Sequence, residues 1–235
     1  MNLTVIARMR NDFPQKFGLP RQSGLADTEG RIVFEPPFRD PAALRGLEGY
    51  SHLWLIWGFD GFERAAFTPT VRPPRLGGNR RMGVFATRSP NRPNPLGLSC
   101  VQIRSIQTRT PEGPVIYVSG VDMMDGTAIF DLKPYLPYTD SHPDARSGFA
   151  GEVYGDKLTV DLPPALADVL PPDKRAVLLS LLRSDPRPAY QRDPARVYGL
   201  TFAGWNIRFT VNSDTLRVVD VAPADTPIKE EPHDE

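Results

Sequence analysis

Over the first two-thirds of the chain, hydrophobic positions come in short alternating runs rather than in helical stripes. NLTVIARM (residues 2–9), RIVF (31–34), HLWLIWGF (52–59), GVFAT (83–87), LSCVQI (98–103) and PVIYVSGV (114–121) are rich in β-branched and aromatic residues, and most of the 26 prolines and 19 glycines fall between such runs. Successive side chains of a strand point to opposite faces, so short runs of this kind separated by turn formers predict an all-β sandwich or barrel. Helix signals are few. PAALRGLEGY (41–50) has Asp40 placed as N-cap and Pro41 at the first helical position. PPDKRAVLLSLLRSD (171–185) puts Leu178, Leu181 and Leu182 on one face, with Asp173 near its start. WNIRFTVNSDTLRVVDV (205–221) predicts a hairpin, because Ile207, Phe209 and Val211 alternate and NSD supplies turn residues. The polar, small-residue stretch 139–157 reads as a linker to a small α+β C-terminal domain, and the charged tail from about Pro223 onward as disordered.

Composition narrows the classes. The chain has 235 residues, 40% hydrophobic, enough for a proper core, and a formal net charge of zero, so no global field draws it to nucleic acid or membrane. The charge is placed unevenly. Between Glu63 and Glu112 there is no acidic residue and every basic one is arginine, whose planar fork suits phosphate and carboxylate oxygens. Cys100 is the only cysteine, which excludes an intramolecular disulfide, and in LSCVQI it reads as a small buried apolar group. His52, His142 and His233 lack zinc-like spacing, so no metal is expected. The N-terminus has no signal-peptide core, and LWLIWGF is too short to span a bilayer, which points to the cytoplasm.

The chemistry has to come from unusual loops. RLGGNRR lacks both the G-x-G-x-x-G spacing and the P-loop lysine, and no G-x-S-x-G elbow is present. In GVFATRSPNRPNPLGLS (83–99), Pro90, Pro93 and Pro95 fix three φ angles, so Arg88 and Arg92 stand on a rigid support that loses little entropy on binding; a proline-stiffened barrel corner explains the same residues. Gly97 lets the chain turn back into a strand. DGT (125–127) reads as a tight turn between PVIYVSGV and AIFDLKPY. In DLKPY, Asp131, Lys133 and Tyr135 share a face if the strand reaches the proline, and Asp131 and Lys133 can simply pair. GLPRQSG (18–24) couples proline, arginine and glutamine in another loop, and His52 sits at the mouth of a buried strand.

Taken together, KFGLPRQSGL, LEGYSHLWLIWGF, TVRPPRLGGNRRMGVFATRSPNRPNPLGLS and DGTAIFDLKPYLPYTDS closely resemble the TsaA-like family, whose full-length bacterial members are the TrmO tRNA methyltransferases. The resemblance is dense over residues 1–142 and continues, more sparsely, through SDPRPAYQ (184–191) and GWNIRF (204–209). It implies a mainly β fold: a single β-barrel catalytic domain over 1–142, not a Rossmann sheet, a linker over 143–158, a small α+β domain over 159–222 and a tail over 223–235. It implies a homodimer that uses S-adenosylmethionine to methylate N6 of N6-threonylcarbamoyladenosine, 3′ of the anticodon at tRNA position 37. By motif match the cofactor is held by Pro20, Arg21 and Gln22, by His52 and Leu53, by Arg88, by Leu98, and by Asp125, Gly126, Thr127 and Ala128, the last standing where the family usually has proline.

The residues agree with that implication. S-adenosylmethionine offers a carboxylate for Arg21 or Arg88, a ribose diol for Asp125 and an adenine edge for backbone groups at Leu98 or Ala128. Phosphates of the anticodon arm suit Arg72, Arg75, Arg80, Arg81 and Arg92, with Arg187 as a further phosphate contact and Tyr190 as a stacking surface. Asp131 is the candidate base for the carbamoylated nitrogen, with Lys133 and Tyr135 as neighbours. Two other classes fit the same loops: a non-catalytic RNA-binding barrel, and a methyltransferase of this fold acting on a different substrate.

Overall fold

The computed structural model describes residues 2–59, 67–73, 80–152, 157–187 and 193–224. Its first unit is a closed antiparallel barrel of β1 (Ala7–Asn11), β2 (Glu29–Phe34), β3 (His52–Gly58), β6 (Leu96–Gln107), β7 (Val115–Ser119) and β8 (Ala128–Pro134), in the order β1-β2-β7-β6-β3-β8. Between β3 and β6 the short β4 (Thr70–Val71) and β5 (Met82–Gly83) pair with each other. Alternation decides which side chains point inward: Leu53, Leu55 and Trp57 of β3 meet Met9, Ile32, Val101, Ile116, Val118 and Ile129 in the barrel core. His52, Trp54 and Ile56 consequently face outward.

Several expectations change in three dimensions. NLTVIARM pairs as β1 only from Ala7, with two further bonds at Ile6, whose N–H donates to the Ile129 carbonyl and whose carbonyl accepts from the Glu35 N–H. GVFAT is strand only at Gly83, the end of β5: Val84–Ala86 is a 3-10 turn, closed when the Thr87 N–H and hydroxyl both donate to the Val84 carbonyl. PAALRGLEGY forms two 3-10 turns, Pro41–Leu44 and Leu47–Gly49, because Gly46 at φ 88° breaks a continuous helix; the Asp40 side chain accepts from the Ala42 N–H as an N-cap should. The DGT turn is present, but β7 and β8 are not neighbours. Residues 120–127 instead cross the end of the barrel, and the N–H groups of Asp125 and Gly126 donate to the carbonyls of Phe13 and Met9. Gly97 lies within β6 opposite Trp57, where it makes room for the indole.

The second unit is a four-stranded sheet in the order β10 (Tyr198–Phe202), β11 (Trp205–Asn212), β12 (Thr215–Pro223), β9 (Thr159–Asp161), covered by α4 (Pro172–Arg183). Short helices α1 (Pro137–Asp140), α2 (Phe149–Glu152) and α3 (Pro164–Ala167) precede α4. The hairpin β11–β12 turns at Ser213 (φ 54°) and Asp214, as NSD predicts, and Leu178, Leu181 and Leu182 of α4 are buried against Ile207, Phe209 and Val211. The tail expected to be disordered lies outside the described residues beyond Ala224. The segment between β1 and β2 also belongs to this core. Phe13 and Ala26 are buried in it, Phe17 and Leu19 pack against it, and the Phe13 and Phe202 rings lie 5.2 Å apart. Lys174 of α4 binds Asp12 at 2.6 Å. The loop carrying PRQ is therefore shared between the two units. No described helix is long and apolar enough to cross a membrane.

Candidate active site

The proline-rich loop after β5 is braced from within. The Arg92 guanidinium donates to the carbonyls of Thr87 (3.0 Å) and Ser89 (3.3 Å), and the Ser89 and Thr87 hydroxyls accept from the Asn91 and Ser89 N–H groups. Arg92 also lies over the Phe85 ring, 73% exposed, at 5.9 Å. Stiffened this way, the loop presents Arg88, which donates to the Gln22 side-chain oxygen. Gln22 in turn donates to the Arg21 carbonyl, and Pro20 is buried. The structure thus joins the PRQ loop to Arg88.

Both meet the edge of β6 where β7 no longer covers it. The ladder with β7 begins at Gln102, so residues 96–101 of β6 have no strand on that side. The Cys100 N–H donates to the Ser23 hydroxyl at 3.1 Å, and Leu98, two residues back and 54% exposed, turns its main-chain groups to the same edge. Beneath runs a chain of polar groups that sequence reading missed. The Trp57 indole N–H donates to the Ser99 hydroxyl (2.9 Å), and Ser99 donates to Asp122 (2.6 Å). The Ser23 N–H also serves Asp122, and Arg88 attracts it. Burial nonetheless pushes the Asp122 carboxyl above the ordinary range, against the lowering pull of Ser99, its own and the Ser23 backbone, and Arg88. One signal was available: Ser99 is a polar residue at an inward position of an alternating strand, and such a group needs a partner.

That pKa direction has a measurable consequence. The folded chain holds the Asp122 proton more tightly than the unfolded chain, so wild-type stability falls relative to Asp122→Asn as pH rises from the unfolded value of 3.8 through the raised folded one, and the difference is constant beyond. Urea unfolding of both proteins across pH is expected to show this divergence; parallel profiles would mean a solvated carboxylate. Burial likewise raises the Cys100 thiol, with Asp140 adding to it, in keeping with an unreactive side chain.

The other candidates sit on two further surfaces. On the outer face of β3 and β8, the register sets Ile56 beside both Leu98 and Asp131, and Trp54 beside Lys133. Asp131 and Lys133 are paired at 2.9 Å, and the Leu132 N–H donates to Asp131. Asp131 lies two strands from Leu98, about 10 Å. The His52 carbonyl accepts from the Tyr135 N–H, the two rings are 6.0 Å apart, and the Trp54 indole donates to Asp140 at 3.1 Å. The Leu53 side chain, by contrast, is in the core. The DGTA turn lies on the β1 side of the barrel end. Asp125 accepts from the Asn11 N–H and faces Arg10 at 3.4 Å, Gly126 is at φ 80°, and Thr127 and Ala128 are buried. The N–H groups of residues 125–127 are spent on framework carbonyls.

Of the arginines assigned to RNA, Arg72, Arg80 and Arg81 are exposed, and Arg81 donates to the Thr70 hydroxyl. Arg187 has a side chain only 10% exposed and grips Asp185 through two bonds of 2.9 and 3.0 Å. Arg75 and Tyr190 lie outside the described residues. Among the described residues no group of three or more His, Cys, Asp or Glu is placed to hold a metal ion.

Residues 8–141 match the family model of the tRNA-methyltransferase O N-terminal domain, and residues 157–224 that of the TrmO C-terminal domain. The chain belongs to the TrmO family. It is 36% identical over 227 residues to the tRNA (adenine(37)-N6)-methyltransferase of Escherichia coli (strain K12), covering 93% of this chain and 96% of that protein. A putative S-adenosylmethionine-dependent methyltransferase RcsF of Pseudomonas aeruginosa is 36% identical over 242 residues, 95% of this chain and 99% of that one. The crystal structure of TrmO from Pseudomonas aeruginosa superposes with a TM-score of 0.73 at 31% identity, covering 94% of this chain and 98% of its own. Membership in the TrmO family accounts for a mainly β barrel with a C-terminal β-sheet unit and sets the site within a methyltransferase fold.

Proposed function

We propose that this chain transfers the methyl group of S-adenosylmethionine to N6 of adenine 37 in tRNA, with the threonylcarbamoylated base as acceptor, working as a homodimer on the anticodon arm. One observation carries the reading: Arg88 and Gln22 meet beside Ser23, which takes the Cys100 N–H on the uncovered β6 edge, and Asp131 lies two strands from Leu98 of that edge. The names of the E. coli and P. aeruginosa relatives support the reaction and the cofactor.

The donor set fits an amphiphilic ligand with a carboxylate at one end. Arg88 suits the carboxylate, the main chain at Leu98 suits a purine edge, and the exposed Leu98 side chain offers apolar cover. Bound there, S-adenosylmethionine supplies an already activated methyl group, so the protein's contribution is alignment and proton handling. The carbamoylated N6 is a weak nucleophile with a more acidic proton, and Asp131 accepts that proton. Arg72, Arg80 and Arg81 contact phosphates, and Phe85 with Arg92 over it adds a stacking surface. The largely exposed Tyr138 supplies apolar surface for a second copy.

The test is transfer of labelled methyl to two matched tRNA samples, one bearing threonylcarbamoyladenosine and one transcribed without modification. Label on the modified sample alone is expected. Label on neither, with cofactor binding intact, would send the search to another substrate. For three phosphate contacts, raising salt roughly from 50 to 200 mM is expected to weaken tRNA binding about 20- to 40-fold by filter binding; a flat response would remove the arginines from the interface.

A further inference from the structure

We propose that the turn at Asp185–Arg187, in the C-terminal unit, holds the PRQ loop in its ligand-binding shape, making Asp185 and Arg187 positioning residues of the cofactor site. Arg21 Nη2 donates to the carbonyl oxygens of Asp185 (2.7 Å) and Arg187 (2.9 Å), more than 160 residues away in sequence. Two carbonyls converge on one nitrogen only because the turn is held in an uncommon shape. Asp185 follows α4 at φ 49°, a left-handed conformation that aspartate tolerates better than most residues. Arg187 then folds back on it: its N–H and Nε reach Asp185 Oδ1 at 3.2 and 2.9 Å, and its Nη2 reaches Oδ2 at 3.0 Å. The fork is two-pronged, largely out of solvent and backed by the Tyr198 ring at 5.9 Å, so it fixes the turn rather than decorating it.

From Arg21 the linkage continues to the site. Its carbonyl accepts from Gln22, and the other end of that amide accepts from Arg88. A C-terminal turn, the PRQ loop and the arginine of the proline-rich loop are thus connected in series. The same architecture assigns Arg187 to the protein's own scaffold, where sequence reading set it against phosphate.

This inference rests on the reading of Arg21, Gln22 and Arg88 as cofactor-holding groups. Its test is calorimetric titration of full-length protein with S-adenosylmethionine, for the wild type, Arg21→Ala, Arg187→Ala and the double variant, with circular dichroism confirming the fold. Each single change is expected to weaken binding about tenfold, the size of one charge-assisted contact. The double variant is expected to bind no more weakly than Arg21→Ala, since Arg187 acts through Arg21. Where Arg187→Ala unfolds the C-terminal unit, Arg187→Lys replaces it: the charge survives but not the two-pronged grip, and a smaller loss in the same direction is expected. Unchanged affinity in Arg21→Ala would overturn the cofactor reading itself. A weakened Arg21→Ala beside an unaffected, folded Arg187 variant, or losses that add in the double variant, would overturn the positioning role alone.

Discussion

Gly97→Ala is expected to destabilise the barrel by about 3 kcal/mol, because the site has no room for a methyl group. A Cβ at Gly97 stands 2.1 Å from the Trp57 ring, far inside contact distance, and the obstacle is the body of a buried indole rather than the tip of a flexible chain. Trp57 cannot easily yield. It is packed in the barrel core, its ring lies 4.3 Å from Phe59, and its N–H is committed to Ser99. A loss of this size corresponds to a fall of about 6–12 °C in melting temperature. Gly83→Ala is the matched control: it lies just before the same loop, nothing approaches its added Cβ within 4 Å, and a change below about 0.5 kcal/mol is expected. Equal effects from the two would show that the Trp57 indole yields to the added methyl group. The damage is expected to extend to the site, since an indole pushed off Ser99 leaves the hydroxyl that donates to Asp122 without the donor that orients it.

Asp131→Asn is expected to lower kcat by about 100- to 10,000-fold with little change in cofactor affinity or stability. Magnitudes separate this from a structural effect. The Asp131–Lys133 pair is short at 2.9 Å, yet the two side chains are 45% and 63% exposed, and an exposed pair contributes about 1 kcal/mol at most. Loss of the ion pair therefore cannot imitate a loss of proton transfer. Lys133→Ala breaks the same pair without removing the carboxylate, so single-turnover methylation by this variant is expected to stay within about tenfold of wild type. Full turnover by Asp131→Asn would leave alignment as the whole mechanism. Matching losses in the two variants would assign the effect to the geometry of the pair.

Local pattern made some features of this protein legible in advance. The run HLWLIWGF was legible as a strand, and the leucine face of α4 and the NSD hairpin were plain because their signals act over a few neighbouring residues. Where a local signal competed with another, it misled. GVFAT has strand composition, but the Thr87 hydroxyl closes a turn that a ladder would have to break, and Gly46 interrupts a helix that Asp40 and Pro41 correctly begin.

The two loops, PRQ and RSPNRPNP, were legible as motifs without their arrangement. Residue types and spacing determined that the chain is a mainly β protein with a stiff arginine-bearing loop, because alternation, proline geometry and charge are properties of short stretches. Only the tertiary structure decided that Arg21 is held from the C-terminal unit, that the half-buried Asp122 takes the Ser99 hydroxyl and the pull of Arg88, and that the DGT connection crosses the barrel end instead of closing a hairpin. Those are contacts between residues tens to more than a hundred positions apart. They exist only once barrel closure and the packing of Phe13 into the second core have brought the segments together.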